Sequence, residues 1–487
     1  MGPGAAVASR FDLIIVGTGF AGSFYLLRYL ERAGPDARVL VLERGGHDSK
    51  AWQLEQRRTS RIAPDEVFSN AHPDKVWLTS PGFGGNSNCW WGGATRMMEG
   101  DFELRSRYGV GQDWPMRYDD LEAHYTVAEE VMSVSGPVDA PQRRSKPYPQ
   151  PPHRFSEPDA LLKKAFPDGW FHPATARARI ATGSRGICCG SGICELCPVD
   201  AKFTIQNGLA GLYRDPRVTL KLECPVTAVE TAAGIASAVV YREAGQATRA
   251  EAELIVLAAS ALFNPHILLR SGFTDPLLGK RLHEQMSIDV CLDLAGVKAY
   301  TGSTTISGNG TLFYEGEHRR HHPACLIETW NAPFAYGRPA FRAEQQRWTE
   351  RLFLRFMFDE IPRDDNEVVI DPDHPDRARV RWHGNSDYAN RAWDQLPRMI
   401  DRLAEALPIE RVVRTELGAT TAHIQGTVVM GTDPATSVVD RHLIHHRYRN
   451  LLVLGASSFP TASPSYPSLT VSALSLWAAD HLHGAAA

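Results

Sequence analysis

The sequence carries no strong excess of charge of either sign: 52 Lys and Arg stand against 56 Asp and Glu, a formal net charge of −4. That balance excludes the basic stripe of a nucleic-acid binder and any strong field for steering ions. No apolar run reaches the roughly 18–20 residues that a direct membrane span needs. The longest candidates, around Leu254–Leu262 and Leu469–Trp477, read as a buried strand and a core helix. The opening MGPGAAVASR is too short and too weakly apolar for a secretory h-region, and the first periodic segment follows it directly. A soluble chain is expected, cytoplasmic, or periplasmic or membrane-associated through a partner subunit that carries the signal. Internal repeats are lacking, so repeat architectures drop out. Cysteine is scarce, at 8 in 487 residues, and a chain of this length needs no disulfide framework.

What is present is ordinary in bulk and specific in detail. Hydrophobic content of 43% and charged content of 22% suit a globular protein, and the length exceeds what one core supports, so two sub-domains are expected. Phe11–Val16 is a continuous apolar run suited to a central parallel strand. Gly17-Thr18-Gly19-Phe20-Ala21-Gly22 follows, then a helical stretch from Ser23 to Ala33 and a second buried strand at Val39–Leu42. In such a loop Gly17 makes the tight turn, Gly19 lets backbone approach a pyrophosphate, and Gly22 permits close helix–strand packing. The helix N-terminus offers free N–H groups to the phosphates. Glu43, 21 residues after Gly22 and followed by Arg44, stands where an acid accepts hydrogen bonds from ribose hydroxyls. These residues predict a dinucleotide site.

Further along, Val76–Phe102 is rich in Gly, Asn and Trp, and Pro137–Pro152 reads as a surface connection. Pro216–Glu230 and Ala236–Tyr241 look like paired strands, and Ala252–Ala259 like another buried strand. Between Leu294 and Thr415 the pattern alternates, as at Glu367–Asp371 and Arg377–Trp382, which predicts an antiparallel sheet with a helix over Tyr388–Leu407. Leu451–Gly455 is a final buried strand and Ser468–His483 a final helix. His321, His322, Trp330 and Trp382 could line a substrate pocket or serve as surface and core.

Two more blocks bear on the cofactor. One runs from Gly82 through Gly84, Gly85, Asn88, Cys89, Trp90, Trp91 and Gly93 to Arg96 and Glu99-Gly100-Asp101-Phe102. The other is His423-Ile424-Gln425-Gly426-Thr427 with Met430-Gly431, followed by Asn450–Gly455 and Phe459-Pro460-Thr461. With the nucleotide loop they resemble the glucose-methanol-choline (GMC) oxidoreductase family, in order and spacing, from Phe11 to Leu482. The resemblance implies an α/β fold: a Rossmann-like FAD-binding domain in separated segments and a substrate domain with an antiparallel sheet. The expected division is a first FAD-binding part (1–105), a connection with substrate-domain elements (106–185), and the cysteine loop with a second FAD-binding part (186–292). The substrate domain (293–418) and a C-terminal FAD-binding part with the catalytic His (419–487) follow. It also implies that Gly84, Gly85, Asn88 and Cys89 lie along the flavin, that Gly455 and Ala456 complete the FAD site, and that alcohols are oxidised.

The resemblance places the catalytic base at His423; a neutral imidazole suits removal of a hydroxyl proton because its pKa lies near working pH. Where the family sets a second His or Asn, this chain has Tyr466, which could donate a hydrogen bond to the substrate oxygen or simply pack. Cys89 stands where some relatives tether flavin covalently, and reads either as a buried thiol or as a thioether link.

Cys188, Cys189, Cys194 and Cys197 fall within ten residues, ending in Cys-Pro, whereas Cys89, Cys224, Cys291 and Cys325 are scattered. Four thiolates so spaced in a glycine-containing loop can ligate an iron–sulfur cluster or zinc, or form two disulfides. The stretch resembles the cluster loop of bacterial FAD-dependent glucose dehydrogenase catalytic subunits, which implies a [3Fe–4S] cluster ahead of a [4Fe–4S] one. Its CELC spacing is one residue shorter than that branch's pattern. The expected function is FAD-dependent oxidation of a hydroxyl on a sugar, glycoside or polyol. Electrons would pass through the cluster to a cytochrome or a small electron-transfer subunit. The alternatives are a GMC alcohol oxidase or aminosugar-alcohol dehydrogenase with structural cysteines, and a flavin-bearing relay subunit with a degenerate site.

Overall fold

The computed structural model describes residues 10–332, 344 and 347–484. The start of the opening segment read for a leader (1–9) and part of the expected substrate region (333–343, 345–346) lie outside the described residues.

The first sheet is built on the apolar runs. Arg10–Val16 lies between Val39–Leu42 and the long strand Gln246–Leu257, parallel to both. Leu13–Val16 and all of Val39–Leu42 are buried, as strands covered on both faces require. Val218–Lys221 adds in parallel beyond Val39–Leu42, and Leu451–Val453, near the C-terminus, pairs in parallel with Ile255–Leu257. The helix Pro467–His483 packs against both Phe20–Arg32 and Tyr118–Met132 beside this sheet. Pro467 opens the last helix at a position that needs no backbone N–H, and most of that helix is buried.

The expected pairing of Pro216–Glu230 with Ala236–Tyr241 divides in two. Glu223, at φ 57°, breaks the stretch. Val218–Lys221 goes to the parallel part, while Val226–Ala232 forms a hairpin with Ile235–Glu243 through Ala233-Gly234, both at positive φ.

The second sheet is antiparallel, in the order Ile409–Leu417, Met286–Leu294, Arg351–Phe358, Cys325–Trp330, Ile306–Phe313, Trp170–Phe171. It starts before Leu294 and draws its edge from the stretch near residue 170. Glu367–Ile370 and Ala378–Arg381 do pair, but in a separate three-stranded sheet with Phe68–Asn70. The expected helix divides into Asp387–Asn390, capped by Ser386, and Ala392–Ala404. The mixed α/β architecture, a dinucleotide-type parallel sheet beside an antiparallel one, is the one expected. A polar row crosses the second sheet: Asn309 faces Glu328, Glu328 faces Arg355, and Arg355 faces Asp289 in register. Side-chain alternation puts this row on the face turned to the first sheet.

Candidate active site

One cavity of about 420 Å³ joins the two sheets, running from Gly17 and Glu43 to His423 and Tyr466. At the nucleotide end the three loop glycines do different work. Gly17 has φ +105°, and a Cβ on it would stand 2.5 Å from the Ala258 carbonyl oxygen. A Cβ on Gly22 would stand 2.1 Å from the Gly17 oxygen, so Gly22 lies behind the wall and sets packing. Gly19 has open space around it, the condition for a ligand to approach backbone at the helix N-terminus.

Glu43 is buried beside the loop. One of its oxygens accepts from the Thr18 N–H (3.0 Å) and hydroxyl (2.8 Å), the other from the Gly45 and Gly82 N–H groups (3.1 and 3.2 Å). Burial pushes its carboxyl up and these donors draw it back. Arg44 stacks on Phe263 at 4.3 Å and lines the cavity, as do Gly85, Cys89, Gly455 and Ala456. Gly84 and Asn88 stand behind the lining. The Gly84 N–H donates to Thr18 Oγ1 (3.0 Å), and the Asn88 amide donates to the Phe83 carbonyl (3.0 Å) and accepts from Gln206 (3.2 Å). Burial pushes the Cys89 thiol up to about 11, so it stays protonated, with Sγ 3.5 Å from the Asn86 carbonyl. Open backbone at Gly19, a buried acid and two helix N-termini, at Phe20 and Pro467, fit a dinucleotide cofactor.

At the other end His423 sits in a loop held by Glu284, a buried carboxylate paired with Lys75. Glu284 accepts from the Thr421 and His423 N–H groups, each at 3.2 Å. Burial, opposed by Glu284, pushes the imidazole down to about 4, so the ring is neutral at pH 7. His423 Nδ1 is 3.0 Å from Gln285 Oε1, and its ring centroid is 6.0 Å from that of Tyr466. The Tyr466 hydroxyl donates to Glu328 Oε1, while Asn309 Nδ2 lies 3.4 Å behind it. Glu328 Oε2 accepts from the Trp330 indole N–H (2.8 Å). Burial pushes the Glu328 carboxyl up, and Arg355 together with these donors opposes that rise. Arg355 itself holds Asp289 with two bonds, 2.7 and 2.9 Å. Trp330, tilted 31° against Trp91 at 5.2 Å, completes the wall.

Tyr466 thus faces a carboxylate. Of the other aromatic and histidine candidates, Trp330 lines the cavity; Trp382 packs on Trp77, His321 is exposed, and His322 stands off the lining. Glu328, Arg355 and Gln285 were not singled out from the sequence. A lone acid in Cys325–Trp330 and a lone interior Arg in Arg351–Phe358 were the available signals.

The cysteine loop backs onto the same wall. Cys188 Sγ lies 3.5 Å from Thr304 Oγ1, Cys194 Sγ 3.3 Å from Thr305 Oγ1, and Cys197 Sγ accepts from the Ala201 N–H (3.2 Å), while Cys189 is exposed. All four are free thiols, so the disulfide alternative is not formed. Among the described residues no group of three or more His, Cys, Asp or Glu is arranged to hold a metal ion. Each buried thiol has a different local partner, so the four expected ligands do not converge, and in this arrangement they fit neither an iron–sulfur cluster nor zinc. Two buried cations stand beside them. Arg177 donates to Thr304 Oγ1 (2.7 Å) and to the Trp91 carbonyl, and Lys202 donates to the carbonyls of Asn88, Trp90 and Glu195 (2.6, 2.8 and 3.2 Å). Neither pairs with a carboxylate among the described residues. Burial pulls Lys202 down to about 8. No helix among the described residues is long and apolar enough to cross a membrane.

Known proteins match along nearly the whole chain. The fructose dehydrogenase large subunit of Gluconobacter japonicus is 25% identical, over 96% of this chain and 97% of its own. The 6'''-hydroxyparomomycin C oxidase of Streptomyces lividus is 28% identical, over 96% and 90%. Among solved structures, pyridoxine 4-oxidase from Mesorbium loti superposes with a TM-score of 0.70 at 17% identity, over 98% of this chain and 100% of that one. The N- and C-terminal GMC oxidoreductase profiles match residues 12–287 and 362–475. The chain therefore belongs to the GMC oxidoreductase family, FAD-dependent enzymes acting on CH–OH groups.

Proposed function

We propose that this enzyme oxidises a hydroxyl of a sugar, glycoside or related polyol. The observation that carries the reading is a neutral imidazole, His423, opening onto the cavity that begins at the nucleotide loop. FAD, when bound, supplies the hydride acceptor. The substrate hydroxyl gives its proton to His423 Nε2 as the adjacent C–H leaves with its electron pair, and a carbonyl forms. Trp91 and Trp330 offer apolar faces to a sugar ring, and Glu328 and Arg355 offer an acceptor and a donor for further hydroxyls. Relatives named for fructose and for an aminoglycoside support a polyhydroxylated substrate. Anaerobic titration with a panel of sugars and polyols tests this: bleaching of the flavin by at least one member is expected, and none by any member overturns it.

In the electron-transfer half of the reading, an iron–sulfur cluster held by Cys188, Cys189, Cys194 and Cys197 would supply one-electron transfer toward a cytochrome or small redox subunit, in the cytoplasm or beside a membrane through that partner. Its supports are the cysteine spacing and the two buried cations, whose desolvation an anionic group at the thiols would offset. It requires residues 188–197 to regroup around iron. Iron and acid-labile sulfide assayed on anaerobically purified protein decide it: full activity with a one-electron acceptor and no iron removes the cluster. Stoichiometric peroxide with free thiols instead favours an oxidase.

A further inference from the structure

We infer that Gln285 is a positioning residue that fixes the tautomer of His423, leaving its Nε2 unprotonated and open to the cavity. The argument is one of donors and acceptors. Gln285, at the head of strand Met286–Leu294, is buried at 1% exposure, and its amide can face only one way. Its Nε2 lies 2.9 Å from the Ser463 carbonyl and 2.9 Å from the Ser465 carbonyl. Carbonyls only accept, so both hydrogens of the amide nitrogen are committed to them. The reversed amide would set three oxygens against one another in a buried site.

Oε1 must therefore face the other way, toward Thr421 Oγ1 (3.3 Å), Gln425 Nε2 (3.4 Å) and His423 Nδ1 (3.0 Å). An amide oxygen cannot donate, so the His423 nitrogen facing it carries the hydrogen. A neutral imidazole has one N–H; with that hydrogen on Nδ1, the lone pair is on Nε2. The same amide ties the His423 loop to Ser463–Ser465, the segment that leads into Tyr466, so it also sets the spacing between those two side chains.

This rests on His423 being the base, and the two ideas fail separately. His423→Ala tests the base: near-normal flavin reduction in that variant removes the function reading as well. Gln285→Met, close in shape but with no acceptor, tests the positioning. In Gln285→Met the limiting rate of anaerobic flavin reduction should fall by about tenfold or more, with the substrate dissociation constant within about twofold. Losing the acceptor disfavours the imidazolium, so the acid limb of its pH profile should move to lower pH. Where the Met variant does not fold, the nitrogen-15 shifts of the His423 ring in the wild-type holoenzyme decide: a protonated Nδ1 beside an unprotonated Nε2 is expected, and the reverse overturns the inference. Wild-type rates in Gln285→Met, or an acid limb that does not move in it, overturn it as well.

Discussion

Replacing Tyr466 with Phe separates two uses of its hydroxyl. In the structure that hydroxyl donates to Glu328, and Glu328, at 2% exposure, has one further neutral donor among the described residues, Trp330. The substitution keeps the ring, which packs on Gly93, and takes one of two donors from a buried carboxylate. Hydrogen bonds to charged groups contribute about 1.5–3 kcal/mol, so a loss of about 2 kcal/mol is expected, a factor of roughly 30 in the folding equilibrium. Urea unfolding of flavin-loaded wild type and variant, at equal protein and FAD, measures it, since bound ligand raises apparent stability. The limiting rate of flavin reduction should fall by less than about tenfold, because the proton is already committed to Glu328. Removing a donor that serves the transition state costs about 100- to 1,000-fold. A fall of that size at unchanged stability would refute the reasoning and place the hydroxyl on the substrate.

Other expectations follow from the same geometry. His423 must be neutral to act, so activity is lost as pH drops through its pKa; with burial pushing that value to about 4, reduction at pH 5.5 should keep over half its neutral-pH rate. An acid limb centred near an ordinary histidine value of about 6.5 contradicts this. Gly22→Ala, whose Cβ meets the Gly17 oxygen at 2.1 Å, should yield protein without bound flavin by its visible absorbance. Gly19→Ala has room and an allowed φ of −72°, so it should fold normally yet bind FAD about tenfold or more weakly; unchanged affinity would mean the phosphates do not approach there.

The nucleotide half of the site was legible because its requirements are local. A strand, three glycines and a helix packed between Arg10 and Arg32 leave little freedom, and the structure sets Gly17 and Gly22 against backbone as that spacing demands. The strand near Leu254 and the final helix were legible for a related reason: long apolar runs have few alternatives to burial. The polar row was not. Asn309, Glu328, Arg355 and Asp289 lie on four strands, and what brings them together is register, set by pairings between segments up to about seventy residues apart. Gln285 was hidden for the same reason, since its role depends on two carbonyls some 180 residues later. Tyr466 was visible as a departure from the family pattern, but its partner Glu328 was not. The cysteine spacing was legible too, yet Cys188, Cys194 and Cys197 each found a different neighbour.

The order in which the chain is made gives the late strand Leu451–Val453 a further meaning. It completes the parallel sheet against Ile255–Leu257, and Gly455, Ala456 and residues 466–468 then close the cavity. A ribosome that has released the first 450 residues has produced the nucleotide loop but no closed flavin cleft, and the Ile255–Leu257 edge lies open to other strands. Flavin capture therefore waits for these late residues: a polypeptide cut short before Leu451 should remain colourless and aggregation-prone, whereas one that includes this strand and residues 466–468 can close the cleft over its cofactor.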